Sequence, residues 1–230
     1  MTLTHYGWRE WGGATVLALL LLSGATCLYR IGLTVLPTLL VCIAVLLWIG
    51  VAGFFRSPRR RMPSDETLIL SPADGTVKDI EVVDFDQAPF TGKALRVGIF
   101  LSVFNVHVNR APAKWKIESK LYRKGRYLDA RDEKCIKENE AMTIAGEAEV
   151  AGVVFPMGVR QISGAIARRI VCPVEPGRSL ERGKIYGMIK FGSRTELYLP
   201  VDDNFTVQVK IGDKVRAGIT PLAKLTVKES

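Results

Sequence analysis

Histidine is scarce in this sequence, and the common metal and nucleotide motifs are missing from it. Only His5 and His107 are histidines among 230 residues, and the cysteines number four: Cys27, Cys42, Cys135 and Cys172. Their spacing fits neither a zinc site nor a CxxC pair, so we predict no metal site and expect reduced, buried thiols. The sequence also lacks GxGxxG, Walker and HExxH motifs, which leaves dinucleotide-binding, P-loop and zinc-protease functions without their signatures.

Charge is missing from most of the first quarter of the chain. Residues 11–29 and 31–55 contain no charged side chain, and only Arg30 separates them. Each run approaches the length of about 20 apolar residues that crosses a bilayer as a helix. A signal peptide fits poorly because the apolar stretch is long and in two parts, and a buried core hairpin is the other alternative. We therefore predict a membrane-associated hairpin over 1–61 and a second domain over 62–230.

The net charge of +9 is concentrated at the N-terminal end. Residues 1–61 hold six basic groups and one acidic group, and a basic cluster follows the second apolar run: Arg56, Arg59, Arg60 and Arg61. This distribution does not favour a nucleic-acid-binding protein. Arginines next to a membrane span mark its cytoplasmic end and attract anionic lipids. We predict a protein of the cell membrane whose 62–230 domain faces the cytoplasm, attached by a spanning or a re-entrant hairpin.

The remainder of the chain predicts a mostly β domain with a few helices (α+β), of the barrel or sandwich kind. Short runs rich in β-branched and aromatic residues alternate with turns. The predicted strands are 97–103, 115–121, 150–154, 184–191, 196–199 and 206–211. One helix is predicted over 161–172, because its apolar residues follow a helical period.

Three residues of the second domain are candidates for chemistry. His107 follows a strongly apolar predicted strand, and histidine is the side chain that carries protons near neutral pH. Asp74 lies in a Pro-Ala-Asp-Gly turn, where an aspartate usually caps backbone groups. Ser193 follows a glycine between two predicted strands, and glycine permits unusual backbone conformations. Taken singly, each of these residues is more often structural than catalytic.

Four motifs, taken together and in this order, resemble the phosphatidylserine decarboxylases of the short bacterial and archaeal type. The motifs are Ser71-Pro-Ala-Asp-Gly, Phe104-Asn-Val-His-Val-Asn-Arg-Ala-Pro, Arg160-Gln-Ile-Ser-Gly-Ala-Ile-Ala-Arg-Arg-Ile-Val-Cys and Gly187-Met-Ile-Lys-Phe-Gly-Ser-Arg. The resemblance covers about 62–230, and a hydrophobic N-terminal hairpin is also usual in that family.

The resemblance implies a precursor that cuts its own chain at the Gly192–Ser193 bond. The products would be a 1–192 chain and a 193–230 chain that remain associated. Ser193 would become a pyruvoyl group, which is the covalent cofactor that the resemblance implies. The implied reaction converts phosphatidylserine to phosphatidylethanolamine and CO₂ at a membrane, in a homodimer.

The resemblance also assigns roles to individual side chains. Ser193 would be the nucleophile, and His107, oriented by Asp74, would be its base. Arg110 and Arg194 would bind the phosphate or carboxylate of the substrate. Two alternatives stay open at this stage. One is a pyruvoyl decarboxylase for another amino-acid lipid head group, and the other is a non-catalytic β-domain tethered to a membrane.

Overall fold

The computed structural model describes residues 2–132, 134–165, 169–190 and 192–226. The chain divides into two compact units, Met1–Arg59 and Arg60–Ser230. The first unit contains a 3-10 turn (His5–Gly7) and two long helices, α1 (Trp8–Arg30) and α2 (Val35–Phe54). A two-stranded ribbon, β1 (Thr2–Leu3) with β2 (Arg56–Ser57), joins the two ends of this unit.

The two helices pack through small side chains and one polar contact. Ala25 and Ala44 are buried, and the indole N–H of Trp48 donates to the hydroxyl of Thr15 at 3.1 Å. Small residues let helix backbones approach closely, as they do in membrane helix pairs. By length and composition, both helices are long and apolar enough to cross a membrane. The predicted N-terminal hydrophobic helical hairpin is confirmed.

The second unit is mostly β, as the sequence predicted. Its only helix in the described residues is short, α3 (Lys134–Glu138). In chain order, its strands are β3 (Leu68–Leu70), β4 (Gly75–Asp84), β5 (Lys93–Leu101), β6 (Val108–Arg110), β7 (Lys114–Arg123), β8 (Ala141–Val150), β9 (Val153–Ile162), β10 (Arg169–Val171), β11 (Ser179–Leu180), β12 (Ile185–Lys190), β13 (Ser193–Pro200), β14 (Phe205–Val207), β15 (Lys214–Val215) and β16 (Pro221–Leu225).

These strands form one large sheet and two small ones. The large sheet is antiparallel, with eight strands in the order β11-β7-β8-β9-β13-β5-β4-β15. The three-stranded sheets have the orders β10-β12-β6 and β14-β16-β3. A shared hydrophobic core includes Trp115 and Leu197 of the large sheet, Tyr186 of β12 and Leu222 of β16. Over the described residues the strands form no closed barrel. Of the two predicted architectures, barrel and sandwich, the sandwich therefore describes the domain better.

The helix predicted over 161–172 is wrong. Residues 161 and 162 end β9, and Arg169–Val171 forms β10, while 166–168 lie outside the described residues. Strand β9 pairs with β8 on one side and with β13 on the other. Residues 161 and 162 pair with Met142 and Ala141 of β8 and with Thr195 and Arg194 of β13, and these hydrogen bonds across the sheet override the local helical period.

The strand predicted over 150–154 is also wrong, because a hairpin turn interrupts it. Val150 pairs with Val153, and the two residues between them, Ala151 and Gly152, have φ values of 49° and 80°. Positive φ at both central positions is what a tight two-residue hairpin turn requires. The predictions 97–103, 115–121, 184–191 and 196–199 overlap β5, β7, β12 and β13, although residue 191 lies outside the described residues. Of 206–211, only the first two residues belong to a strand, β14.

All four cysteines are free thiols. Cys135 and Cys172 are buried, and burial raises the pKa of Cys135 to about 11. Both are therefore neutral at physiological pH, as expected for inert core thiols. Cys27 and Cys42 are exposed on the helix pair, so the expectation of burial is wrong for these two.

Candidate active site

Ser193 begins the central strand of the large sheet. It is the first residue of β13, which lies between β5 and β9, and it pairs with Leu101 at the end of β5. The side chain is fully buried, and within the described part of the chain no group hydrogen-bonds to its hydroxyl. A buried hydroxyl without a partner costs about 1–3 kcal/mol. Such a residue in a native core calls for an explanation, and a catalytic role is one.

The residue before it, Gly192, lies where the chain passes from the small sheet of β12 into the large sheet. Its φ is +54°, in the left-handed region that favours glycine. A β-carbon on Gly164 would overlap the carbonyl oxygen of Gly192, so the bare backbone of Gly164 packs directly on this carbonyl. Ser163 is fixed on both sides, because its carbonyl accepts from Asn139 Nδ2 at 2.7 Å and its N–H donates to Glu140 O at 2.9 Å.

His107 is fully buried beside the strand that leads to Gly192. Its carbonyl accepts a hydrogen bond from the N–H of Ile189, three residues before Gly192, at 3.2 Å. Its ring Nδ1 lies 3.0 Å from the carbonyl oxygen of Asn105. Because a carbonyl can only accept, this contact assigns the proton to Nδ1 in the neutral ring. Nε2 is then the ring atom whose lone pair can take up a proton.

A network of buried amides joins the His107 segment to the Ser193 strand. Asn109 Nδ2 donates to the hydroxyl of Thr195 at 3.2 Å, and Gln161 Nε2 donates to Asn109 Oδ1 at 2.8 Å; all three residues are fully buried. The contact between Asn109 and Thr195 therefore joins the two segments that carry His107 and Ser193.

Asp74 has partners other than the histidine. Its Oδ1 accepts from the N–H of Ala217 at 2.8 Å, and its Oδ2 forms an ion pair with Arg60 at 2.7 Å. The hydrogen bonds among the described residues do not join Asp74 to His107, and the Asn105 carbonyl occupies the orienting position that the sequence assigned to Asp74. Arg60 is mostly buried in this ion pair, so it is not one of the lipid-facing arginines that the sequence suggested.

Arg194 belongs to a buried ionic network on the sheet face opposite to Ser193. Its guanidinium donates to Glu196 at 2.8 Å and to both oxygens of Asp79 at 2.7 and 2.6 Å. Burial alone would lower the pKa of Arg194, but the two carboxylates outweigh it and raise the pKa. Since alternate residues of a strand face opposite sides, this network keeps Arg194 away from the Ser193 hydroxyl.

Arg110 lies beside the Asp74 ion pair. Its Nη1 donates to the carbonyl of Gly183 at 2.9 Å. Burial, and then the positive charge of Arg60, lower the pKa of Arg110, while Asp74 raises it. Arg110 therefore lies within electrostatic range of the ion pair between Asp74 and Arg60. Its predicted role in substrate binding stays a prediction.

Sequence comparisons show to which family this chain belongs. The family model described as phosphatidylserine decarboxylase matches residues 50–223. A phosphatidylserine decarboxylase proenzyme of Rhodopirellula baltica is 45% identical to this chain over 175 residues, which are 76% of this chain and 71% of the relative. The chain belongs to the phosphatidylserine decarboxylase family. The proenzyme of Pelobacter propionicus is 47% identical over 75% of both chains, and that of Trichlorobacter lovleyi is 40% identical over 91% of this chain and 90% of the relative.

Sequence reasoning missed three buried polar residues and one glycine of this decarboxylase. Asn109, Gln161 and Gly164 lie inside the motifs that carry the resemblance, and Thr195 follows one of them directly. Polar side chains within otherwise apolar strand segments were the available signal, because they need partners when buried. For Gln161 the helix predicted over 161–172 hid that signal, since it placed this residue in a helix and not in a strand.

Proposed function

We propose that this chain is a self-cleaving precursor of a pyruvoyl-dependent phosphatidylserine decarboxylase. The observation that carries the proposal is the buried hydroxyl of Ser193, directly after a glycine whose carbonyl is packed against Gly164. The nucleophile and the bond to be cut are thus adjacent in a closed interior. The word proenzyme in the names of the relatives supports a cut precursor.

Cleavage begins with attack of Ser193 Oγ on the carbonyl carbon of Gly192. The new C–O bond forms an ester, the C–N bond breaks, and the nitrogen stays on residue 193 as an amine. Removal of the Cα proton then expels the Gly192 carboxylate from Cβ and leaves a dehydroalanine. Water hydrolyses this group with release of ammonia, which leaves the pyruvoyl end of the 193–230 chain.

His107 moves the proton in the first step. With its hydrogen on Nδ1, the ring offers Nε2 to take the proton from Ser193 Oγ and to return it to the leaving amine. The Asn105 carbonyl holds this tautomer, which is the orienting task that a carboxylate performs in serine hydrolases. Asp74 acts only indirectly in this proposal, because its carboxylate binds the N–H of Ala217 and the side chain of Arg60 and does not contact the ring of His107 among the described hydrogen bonds.

The residues around position 193 fit a pyruvoyl group. The Ser193 side chain has no hydrogen bond among the described residues that its conversion would break. The group supplies an electrophilic carbonyl for the substrate amine and accepts the electrons left by CO₂. Residue 193 is fully buried, and we propose His107 as the residue that returns a proton to the substrate carbon.

The fold explains how the two products would stay together. The 193–230 chain contributes β13, which pairs with β5 and β9, and it also contributes β15, which pairs with β4. Strand β16 pairs with β3 in a second sheet. Because the central strand of the large sheet belongs to the smaller product, its release would open the core.

We propose that the helix pair attaches the enzyme to the membrane that holds its substrate. The exposed faces of α1 and α2 are apolar, and Leu20 and Leu46 are largely exposed on them. Arg59 and Arg61 follow the second helix and would lie at the cytoplasmic surface among anionic head groups. The domain division at residue 61, the cytoplasmic orientation and the homodimer stay predictions.

Intact-mass analysis of the purified protein tests the proposal. We expect two chains, 1–192 and 193–230, with the smaller one lighter by one ammonia than a chain that begins with serine. Carboxyl-labelled phosphatidylserine should release CO₂, and free serine should not. A single uncut 25.4 kDa chain after long incubation with membranes would contradict cleavage and favour a non-catalytic β-domain. Faster release from a different amino-acid head group would redirect the substrate assignment.

Gly164→Ala should slow cleavage by about 10-fold or more, because the new methyl group must displace the Gly192 carbonyl and small misplacements are costly in catalysis. The measurement is the fraction of uncut chain against time after synthesis. Ala165→Ser is the matched control, since residue 165 is the exposed neighbour. Cleavage of Gly164→Ala at the parent rate would show that this contact does not position the bond.

A further inference from the structure

The proposed cut leaves residue 193 at the start of a new chain. Before the cut, the covalent bond to Gly192 holds this residue, and afterwards only the non-covalent contacts of β13 hold it. Ser193 pairs with Leu101 of β5, and in the described pairing Arg194 is the first residue of β13 with a partner strand on both sides. Chain ends are poorly ordered unless contacts tie them down. The reacting group at residue 193 therefore needs a strong contact close to the new end.

An ion pair joins the two future chains one residue from the cut. Arg194 belongs to the 193–230 chain, and its Nη2 donates to both carboxylate oxygens of Asp79, in the 1–192 chain, at 2.7 and 2.6 Å. The side chains of Arg194 and Asp79 are only 5% and 16% exposed. Charged hydrogen bonds in such surroundings are stronger than neutral ones and are screened less by salt than surface pairs are. This pair thus connects the start of the smaller chain to strand β4 of the larger one.

Glu196 adds a second set of contacts between the same two chains. Its carboxylate accepts from Arg194 Nε at 2.8 Å. The same carboxylate lies 3.8 Å from Arg96 and 3.9 Å from Arg160, both in the larger chain. Arg96 in turn donates to Asp79 at 3.0 Å, so the carboxylates and guanidinium groups of the two chains alternate. Because a buried charge without its partner is costly, this network opposes separation of β13 from its neighbours.

Gly98 of β5 provides the space for the ion pair. It pairs with Glu196 on one side and with Asp79 on the other. A β-carbon at this position would overlap Arg194 Nη2 and both carboxylate oxygens of Asp79. Glycine weakens a strand interior and often marks a place where another group approaches the backbone closely. The glycine in this strand therefore accommodates the contact between Asp79 and Arg194.

We propose that the Asp79–Arg194 ion pair anchors the start of the 193–230 chain after cleavage and so keeps residue 193 in place for decarboxylation. The inference rests on the proposed self-cleavage, and it gives Arg194 a positioning role that differs from the substrate contact suggested by the sequence. Successive residues of a strand face opposite sides, so Arg194 acts on residue 193 through the backbone and not through the substrate. Loss of the pair should therefore lower kcat and leave KM nearly unchanged.

Asp79→Asn removes the charge of the anchor and keeps its shape. Because the uncut chain holds residue 193 covalently, we expect this variant to cut itself to completion. In the cut form, amide hydrogen exchange of segment 193–199 should be about 10-fold or more faster than in the cut parent. The kcat for phosphatidylserine should fall about 10-fold, since small misplacements of reacting groups are costly. The uncut reference combines Asp79→Asn with Ser193→Ala, and its exchange should stay close to that of Ser193→Ala alone.

Glu81→Gln is the matched control. Glu81 accepts from Arg96 at 2.7 Å in the same network, but its side chain is 56% exposed and both residues belong to the 1–192 chain. This variant should keep the exchange and the kcat of the parent. Gly98→Ala is a second test, because the added methyl group displaces the pair without changing any charge. It should reproduce the defect of Asp79→Asn in the cut form, and Asp79→Asn alone decides if the methyl group prevents folding.

Three results would overturn the inference. They are equal exchange in cut Asp79→Asn and cut parent, an equal increase in the cut and uncut forms, and the same defect in Glu81→Gln. An equal increase in both forms is what a merely structural role of the network would give. A parent chain that never cuts itself would contradict the proposed function and the anchor with it. A parent chain that cuts itself and decarboxylates, while Asp79→Asn behaves as the parent does, would overturn the anchor alone.

Discussion

Ser193→Ala should leave a single uncut chain of 25.4 kDa and lower decarboxylation by about 10⁴-fold or more. Alanine has no oxygen to attack the Gly192 carbonyl and no leaving group on Cβ, so neither cleavage nor pyruvoyl formation can occur. The fold should survive, because the Ser193 hydroxyl has no hydrogen bond among the described residues to lose. The measurements are intact mass, thermal unfolding and CO₂ release from labelled phosphatidylserine.

Ser163→Ala is a matched control for this change. Ser163 is also fully buried, and its hydroxyl also lacks a hydrogen-bond partner among the described residues. Both substitutions remove one fully buried hydroxyl that has no hydrogen-bond partner among the described residues, so their effects on stability should be similar. Cleavage should persist in Ser163→Ala and disappear in Ser193→Ala. Equal cleavage in the two variants would refute the assignment of residue 193.

The family was more predictable from sequence than the fold around the candidate site. The four motifs are each short and local, and their order along the chain indicated a family that the comparisons confirm. Strands β5, β7, β12 and β13 were also predictable, because their β-branched residues give a local signal. The helix predicted over 161–172 failed because β9 and β10 are defined by pairing with other strands, which the helical period of the segment does not report.

The contacts within the site were beyond sequence reasoning for the same reason. Gly164 meets Gly192, and Asn109 meets Thr195, across separations that no local pattern encodes. The charge pattern misled in one place. Arg60 belongs by sequence to a basic cluster that follows an apolar run, yet in the fold it is paired with Asp74. A run of basic residues therefore predicts contact with a membrane only for those side chains of the run that are exposed in the fold.

His107→Gly should lengthen the time for cleavage by about 10²-fold or more, because removal of a general base typically costs 10²- to 10⁴-fold. The substitution leaves a cavity of the shape of the lost ring, so added imidazole should restore part of the cleavage. A purely structural role would not respond to imidazole in this way. His5→Ala is the control, because His5 is the only other histidine and lies in the N-terminal unit.

Comparison of His107→Gly with Asp74→Asn shows whether the Asn105 carbonyl or Asp74 orients the ring of His107. If the Asn105 carbonyl holds the ring, as the 3.0 Å contact indicates, Asp74→Asn should cut its chain more slowly than the parent but faster than His107→Gly. If Asp74 orients the ring directly, Asp74→Asn and His107→Gly should be equally slow. Because asparagine can still accept from the N–H of Ala217 but loses its charge toward Arg60, the intermediate rate would measure the ion pair. Cleavage of His107→Gly at the parent rate, with no response to imidazole, would exclude this histidine as the base.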